Sequence, residues 1–246
     1  MGRIVFLGDL HGNMVATEAM AKTIEKIAPD EIWFLGDAVG KGPSNCETCD
    51  WVKENCDHFL KGNWDEWIID SYLKRENKHS RYAEENRFFY EQLGEKRLMW
   101  LQSLPYEDEI LISGIRFRLL HGRPSDNLYQ GFDSDEWLKQ GFYSQAKQTK
   151  YDSYICADSH RPYVRSLHDG YAINTGSIGN SIGMPRAHAL LVEGDVGQKE
   201  LSPIFFSILS VPYDNQKAAD IALSTEGLPH AEAFAREIKT GIYSRE

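Results

Sequence analysis

The sequence lacks any apolar run that approaches the ~18 residues of a transmembrane helix. Near its start, an apolar segment meets the acidic residue Asp9 too early to be the apolar region of a signal peptide. We therefore expect a cytoplasmic protein without a membrane partner.

The chain also has fewer basic than acidic residues. The 246 residues include 27 lysines and arginines against 37 aspartates and glutamates, so the formal net charge is −10. This balance disfavours general nucleic-acid binding, which needs a basic surface. It does not exclude an anionic substrate, because bound metal ions can invert the local charge.

Cysteine is scarce, and its spacing predicts no special chemistry. The four cysteines include a lone CxxC pair, Cys46 and Cys49, without the second pair of a zinc finger. A redox role for this pair would need a thioredoxin-like setting, which the sequence does not provide. We expect ordinary thiols in a reducing compartment.

The composition otherwise fits a globular protein. With 41% hydrophobic and 12% aromatic residues, the chain has too many apolar side chains to be disordered. Because no repeat, low-complexity tract or linker interrupts it, we expect a single domain over residues 1–246.

The first third of the chain alternates between strands and helices. Apolar runs at residues 3–7, 31–35 and 58–61 predict strands, and the segments between them, 13–28 and 44–56, predict helices. This order indicates an α/β fold in which the strands pair in parallel through right-handed crossovers.

The remaining pattern is more mixed. Residues 64–104 predict two or more helices, 110–120 a hairpin around Ser113 and Gly114, and 133–147 another helix. We expect strands at 154–157, 163–167, 171–173, 189–192 and 205–211, and two closing helices after Asp214 and Pro229.

One pattern recurs at the strand ends: a polar side chain able to bind a metal stands at the carboxyl end of an apolar strand, next to glycine. The side chains that share this position are Asp9, His11, Asp37, Asn63, His121, Asp158 and His160. Because ligands bind outside the carboxyl ends of strands in open α/β sheets, we expect all seven at one edge. Singly, such residues are more often surface turns or hydrogen-bonded structural side chains, so the combination carries the prediction.

The donor types indicate which metals the site would hold. Carboxylate, imidazole and amide donors favour Mn or Fe, with Zn as an alternative. Seven ligands exceed the needs of one ion, but a carboxylate that bridges two ions would accommodate them. Asp37 is the expected bridge because its strand should lie between the other two.

Five segments carry a resemblance to a known family. They are residues 8–13 (GDLHGN), 36–43 (GDAVGKGP), 62–65 (GNWD), 121–122 (HG) and 157–160 (ADSH). Together they resemble the motifs of the calcineurin-like metallophosphoesterases. The chain is also similar to a bacterial subgroup of small phosphoesterases that includes diadenosine polyphosphate hydrolases. The segments that carry this similarity are residues 121–124 together with Tyr129, residues 173–179, and residues 211–214 together with 227–229.

The resemblance implies a four-layer α/β/β/α sandwich with two mixed sheets and a dinuclear site. One ion would be held by Asp9, His11, Asp37 and His160, and the other by Asp37, Asn63, His121 and Asp158. A bridging hydroxide would attack phosphorus in line, without a covalent intermediate. The subgroup implies a small phosphodiester or nucleotide polyphosphate as substrate, such as a diadenosine polyphosphate or ATP.

Two residues have two possible roles each, and two others depart from the family's motifs. Asn13 is either a helix cap or a phosphate contact, and Arg123 either clamps phosphate or lies in solvent. Asp158 replaces the histidine usual in the family, which suggests altered metal affinity or preference. Trp64 replaces the histidine that helps to protonate the leaving group, and an indole cannot act as a general acid.

The sequence is also compatible with two other functions. A phosphoprotein phosphatase also contains the sequence GDLHGN, so the substrate could be a protein. A relative that kept the fold as a metal-free binding module is the other alternative, although every expected ligand position holds a residue able to bind metal.

Overall fold

Two five-stranded mixed sheets lie at the centre of the fold. The structure is a computed structural model that describes residues 1–74, 86–122 and 134–245. Its strands are β1 (Gly2–Leu7), β2 (Glu31–Phe34), β3 (His58–Phe59), β4 (Glu107–Ile112), β5 (Ile115–Leu120), β6 (Tyr143–Ser144), β7 (Thr149–Lys150), β8 (Ser153–Cys156), β9 (Tyr163–Leu167), β10 (Gly170–Asn174), β11 (Ala187–Gly194) and β12 (Phe205–Val211).

The helices flank these sheets. They are α1 (Met14–Ile27), α2 (Asn45–Asn55), α3 (Asn63–Leu73), α4 (Arg87–Ser103), α5 (Asp135–Leu138), α6 (Asn215–Ser224) and α7 (Ala231–Thr240). Helix α4 is interrupted at Gly94, where φ is 69°. None of the helices described is both long and apolar enough to span a lipid bilayer.

The sheet topology places the carboxyl ends of three parallel strands at one edge of each sheet. The first sheet has the order β12-β11-β1-β2-β3, in which β1, β2 and β3 are parallel. The second has the order β4-β5-β8-β10-β9, in which β5, β8 and β10 are parallel. The predicted position of β2 between β1 and β3 is confirmed.

Alternation along β1 explains how the layers pack. Ile4 and Phe6 point into a core between the two sheets, whereas Val5 and Leu7 point into a core shared with the helices. Successive side chains of a strand face opposite sides, so one buried strand serves both cores. The predicted four-layer α/β/β/α architecture with two mixed sheets is confirmed.

The outer layer over the second sheet differs from the prediction. Residues 133–147 were expected to form one helix, but α5 ends at Leu138 and is followed by a short 3-10 turn and the β6–β7 hairpin. Buried Arg118 donates to the backbone carbonyls of Gly141 and Tyr143. These carbonyl oxygens therefore bind a side chain of the sheet instead of continuing a helix.

Candidate metal centre

All seven candidate ligands meet where the two sheets present their strand ends. Asp9 and His11 follow β1, Asp37 follows β2, and Asn63 begins α3, the element after β3. On the second sheet, His121 follows β5, and Asp158 and His160 follow β8. The sheet order therefore accounts for the convergence that the sequence predicts.

The first group of ligand atoms centres on Asp9, His11 and His160. Asp9 Oδ1 lies 3.6 Å from His11 Nε2 and 3.4 Å from His160 Nε2. The two imidazole nitrogens are 3.1 Å apart, and Asp37 Oδ2 lies 3.5 Å from His11 Nε2. The three central residues are fully or almost fully buried.

The second group centres on His121. Its Nε2 lies 3.4 Å from Asp37 Oδ2 and 3.9 Å from Asp9 Oδ1. The same nitrogen lies 3.6 Å from Asp158 Oδ1 and 3.1 Å from Asn63 Oδ1. Asp9 and Asp37 therefore both face the two groups, a position suited to a bridging ligand.

The three histidines present the same nitrogen to the centre. The Nδ1 atoms of His11, His121 and His160 lie 3.2, 2.7 and 2.5 Å from the backbone carbonyls of Val39, Leu35 and Asn180. A carbonyl only accepts hydrogen bonds, so Nδ1 carries the proton and donates. The Nε2 atom of each ring then faces the carboxylates, as in histidines that bind metals.

The buried carboxylates of the centre favour the binding of a cation. Asp9 Oδ1 is buried and has no hydrogen-bond donor among the described residues. Burial raises the pKa of Asp9 well above its usual value, and Asp37 and Asp158 add to the rise, which His121 opposes. Burial lowers the pKa of His121, but the nearby carboxylates outweigh this effect and hold it well above its ordinary value. The residues therefore fit divalent metals, which would neutralise the clustered acids.

The backbone of the ligand loops is strained. Asp9, His11, Asp37, Asp158 and His160 all have left-handed conformations, with φ between 48° and 65°. Such conformations cost on the order of 1–3 kcal/mol each and persist where the surrounding structure fixes them. Their concentration at the candidate ligands indicates a functional constraint on these loops.

Asp65 supplies part of that constraint. This buried carboxylate accepts the backbone N–H groups of Asp37, Ala38 and Gly62 at 2.9, 3.1 and 2.9 Å. Burial and the nearby Asp37 raise the pKa of Asp65 to about 7, although its backbone hydrogen bonds oppose the rise. Gly62 is required in this packing, because a Cβ there would lie 2.0 Å from Asp37 Oδ1.

The sequence profile of the calcineurin-like phosphoesterases matches residues 2–196. The chain belongs to the calcineurin-like phosphoesterase family. It is therefore a metal-dependent phosphoesterase, a hydrolase. No curated protein matches it significantly.

Solved structures show the same fold. A metallophosphoesterase from Sphaerobacter thermophilus is 22% identical with a TM-score of 0.72, over 98% of this chain and 100% of that one. The hypothetical protein PH1004 from Pyrococcus horikoshii OT3 is 19% identical with a TM-score of 0.74, over the whole of both chains. Yfce, a phosphoesterase from E. coli, is 14% identical with a TM-score of 0.50, over 85% of this chain and 100% of that one.

In this phosphoesterase, sequence reasoning missed a buried cation at the centre. Lys41 Nζ lies 3.4 Å from His160 Nε2 and donates to Asn180 Oδ1 at 3.1 Å. Burial, followed by the positive charge of Arg245, lowers the pKa of Lys41 to about 8. The signal in the sequence was the place of Lys41 inside the 36–43 motif, between two glycines that allow close backbone approach.

A buried acid near the end of the described chain holds this cation in place. Glu237 in α7 accepts from Asn180 Nδ2 at 3.1 Å, from Ser244 N at 3.1 Å and from Arg245 Nε at 3.3 Å. Asn180 Oδ1 in turn accepts a hydrogen bond from the Lys41 ammonium. Glu237 lies outside the recognised motifs, so no local pattern identified it.

Trp64 lies beside the cationic side chains of Lys41 and Arg245. Its ring centroid is 5.7 Å from Lys41 Nζ, 5.8 Å from Arg245 Cζ and 5.9 Å from the His11 ring. Gly40 makes room for it, because a Cβ there would lie 2.5 Å from the Trp64 ring. This aromatic side chain therefore packs against the His11 ring in an edge contact.

The other predicted site residues have separate outcomes. Asn13 caps α1, accepting from Ala16 N at 3.2 Å and donating to Gly179 O at 2.8 Å. Its predicted contact with phosphate stays a prediction. Arg123 lies outside the described residues. Cys46 donates to Gln92 O, and the four cysteines are free.

Proposed function

We propose that this phosphoesterase hydrolyses small phosphodiesters or nucleotide polyphosphates, with diadenosine polyphosphates and ATP as the first candidates, at a centre of two divalent ions. Asp9, His11, Asp37 and His160 would hold one ion, and Asp37, Asn63, His121 and Asp158 the other. The observation that carries the proposal is the position of Asp37 Oδ2, 3.5 Å from His11 Nε2 and 3.4 Å from His121 Nε2. A single carboxylate oxygen thus faces both histidine groups.

The ions, when bound, would activate water for attack on phosphorus and neutralise the phosphoryl oxygens. Mn or Fe suits the mixed oxygen and nitrogen donors best. The protein's own groups orient these donors: backbone carbonyls fix the histidine rings, and Asp65 fixes the loops of Asp37 and Asn63. Lys41 adds a positive charge where negative charge develops during phosphoryl transfer.

The experiment measures metal content and hydrolysis together. We expect chelation to abolish hydrolysis and Mn²⁺ to restore it. Asp37→Asn should lower kcat by at least roughly 100-fold, since partners outside the ligand set already contribute 10–100-fold. Asp220→Asn, an exposed change on α6, is the matched control and should change neither quantity. Full activity in a verified metal-free preparation would contradict the proposal.

The substrate is identified by a screen with the Mn²⁺-loaded protein. Phosphomonoesters, phosphodiesters, nucleotide polyphosphates and a phosphopeptide are compared by kcat/KM. We expect the highest values among the small diesters or polyphosphates. A preference for the phosphopeptide would instead favour a phosphoprotein phosphatase. The free thiols support a reducing compartment, so we include a cytoplasmic location in the proposal.

A further inference from the structure

A cavity of about 570 Å³ opens beside Asn63 and His121, on one side of the metal centre. On the other side, His11 and His160 are buried, and the Trp64 ring makes an edge contact with the His11 ring. Ligand pockets commonly have volumes of ~300–1,000 Å³, so this cavity is large enough for an organic group of a substrate. The following inference rests on the proposed function, because the cavity matters only if phosphate binds at the centre.

Two exposed aromatic side chains line the cavity. Trp67 is 45% exposed and Tyr106 is 57% exposed. Trp67 is partly exposed although it lies one helical turn after Asn63, a candidate metal ligand, and its ring centroid is 5.7 Å from that of Trp64. Exposed aromatic rings beside a reaction centre offer flat surfaces on which another ring can stack.

The charged groups of the cavity balance each other. Arg118 Nη2 forms an ion pair of 2.5 Å with Glu107 Oε2, and Glu66 Oε1 accepts from the Tyr106 hydroxyl at 2.5 Å. Lys61 Nζ lies 4.4 Å from the centroid of the Tyr106 ring. With two basic and two acidic side chains, the cavity does not attract a chain of additional phosphates, whose charge the two glutamates would repel.

We infer that this cavity binds a flat, uncharged ring with a hydrogen-bond acceptor at its edge, carried by the substrate next to the reacting phosphate. Trp67 and Tyr106 stack on the ring, and the Lys61 ammonium donates to the acceptor. This assigns the substrate's organic group to the side of Asn63 and His121. Among the proposed substrates, it favours a phosphodiester with a ring on this side over a long polyphosphate arm in this cavity.

The test measures binding, so it does not depend on turnover. Methylphosphonate, phenylphosphonate and 4-pyridylphosphonate carry the same acidic group and resist hydrolysis, and calorimetry with the Mn²⁺-loaded protein gives their dissociation constants near pH 8. Phenylphosphonate should bind roughly tenfold tighter than methylphosphonate, within the range of one stacked ring. The pyridyl ring should bind roughly 2- to 10-fold tighter still, the range of one net hydrogen bond.

Variants connect these preferences to the named residues. Trp67→Ala should bring the phenyl-to-methyl ratio close to one without weakening methylphosphonate, and Trp67→Phe should restore most of it. Lys61→Met should remove the pyridyl-to-phenyl difference alone. Phe205→Ala is the matched control, because Phe205 is a 54% exposed aromatic residue on β12 and does not line the cavity.

The outcomes separate this inference from the proposed function. Failure of methylphosphonate to bind the Mn²⁺-loaded protein would overturn the phosphate site, and the ring site with it. Equal binding of methyl- and phenylphosphonate, or a ring preference that survives Trp67→Ala, would overturn the ring site alone. A pyridyl preference that survives Lys61→Met would overturn the role of the lysine.

Discussion

Asp65 accepts the backbone N–H of Asp37 at 2.9 Å, so a candidate metal ligand is fixed by a carboxylate on a neighbouring element. The same Asp65 oxygen accepts Gly62 N, one residue before the candidate ligand Asn63. One buried side chain thus joins the ends of β2 and β3. This explains why an acid follows Asn63 so closely in the sequence.

Replacing Asp65 should therefore disturb the metal centre from outside the ligand set. Asparagine has one acceptor oxygen where three backbone donors now bind, so Asp65→Asn should lower the free energy of unfolding by about 2 kcal/mol. Mn²⁺ affinity should fall about 10–100-fold. Urea unfolding and metal titration measure the two effects. Asp70→Asn, on the exposed side of the same helix, is the control and should change neither; equal metal affinity in both variants would contradict this role.

The fold and most of the centre could be predicted because their signals are local. Apolar runs that end in Gly-Asp, Gly-Asn or His-Gly mark where strands stop, and strand ends meet at one edge of a sheet. The pairs Asp9 with His11 and Asp158 with His160 were found in this way. Their close approach in the structure follows from the sheet order.

The remainder of the site depends on contacts between distant parts of the chain. Glu237 holds Asn180, 57 positions away, and Asn180 holds Lys41, 139 positions away. No periodicity or spacing predicts such pairs from a single sequence. The predicted helix over 133–147 failed for a similar reason, because the binding of Arg118 to Gly141 and Tyr143 overrides the local preference.

Asp158 should determine how many ions the protein holds. Its carboxylate lies 3.6 Å from His121 Nε2 and is more exposed than Asp9 or Asp37. Asp158→Ala should lower the metal content towards one ion per chain, as measured by mass spectrometry of the dialysed protein. Asp158→His should keep two ions with a changed preference, since imidazole is the softer ligand. Two tightly held ions in the alanine variant would show that Asp158 is not a ligand.

Lys41 should affect turnover more than metal binding. Its ammonium is held by Asn180, which Glu237 holds in turn, so the charge is kept beside the centre. Lys41→Met should lower kcat/KM about 10–100-fold, the size of a lost charged hydrogen bond, while both ions remain. Lys41→Arg should recover part of the activity, and Lys74→Met, at an exposed lysine in the turn after α3, should have no effect. Loss of metal in Lys41→Met would show a structural role instead.

Because Trp64 stands where the family has a proton donor, the dependence of the hydrolysis rate on the leaving-group pKa is a sharp test of the chemistry. An indole cannot donate a proton to a departing oxygen, and both oxygens of Asp65 are occupied by backbone donors. Leaving groups of high pKa would then depart as costly anions, whereas anhydrides and activated esters need little protonation. Across a series of aryl and alkyl phosphodiesters, the rate should therefore fall steeply as the leaving-group pKa rises.

The variant Trp64→His should flatten this dependence by restoring a donor at the same position. Trp64→Phe is the matched control, since it also makes the ring smaller but offers no proton, and it should keep the steep slope. The comparison requires that chemistry limits the rate, which a burst-free time course and a solvent isotope effect would establish. A flat dependence in the unaltered protein would mean that another residue supplies the proton. Lys41, 5.7 Å from the Trp64 ring, would then be the first residue to replace.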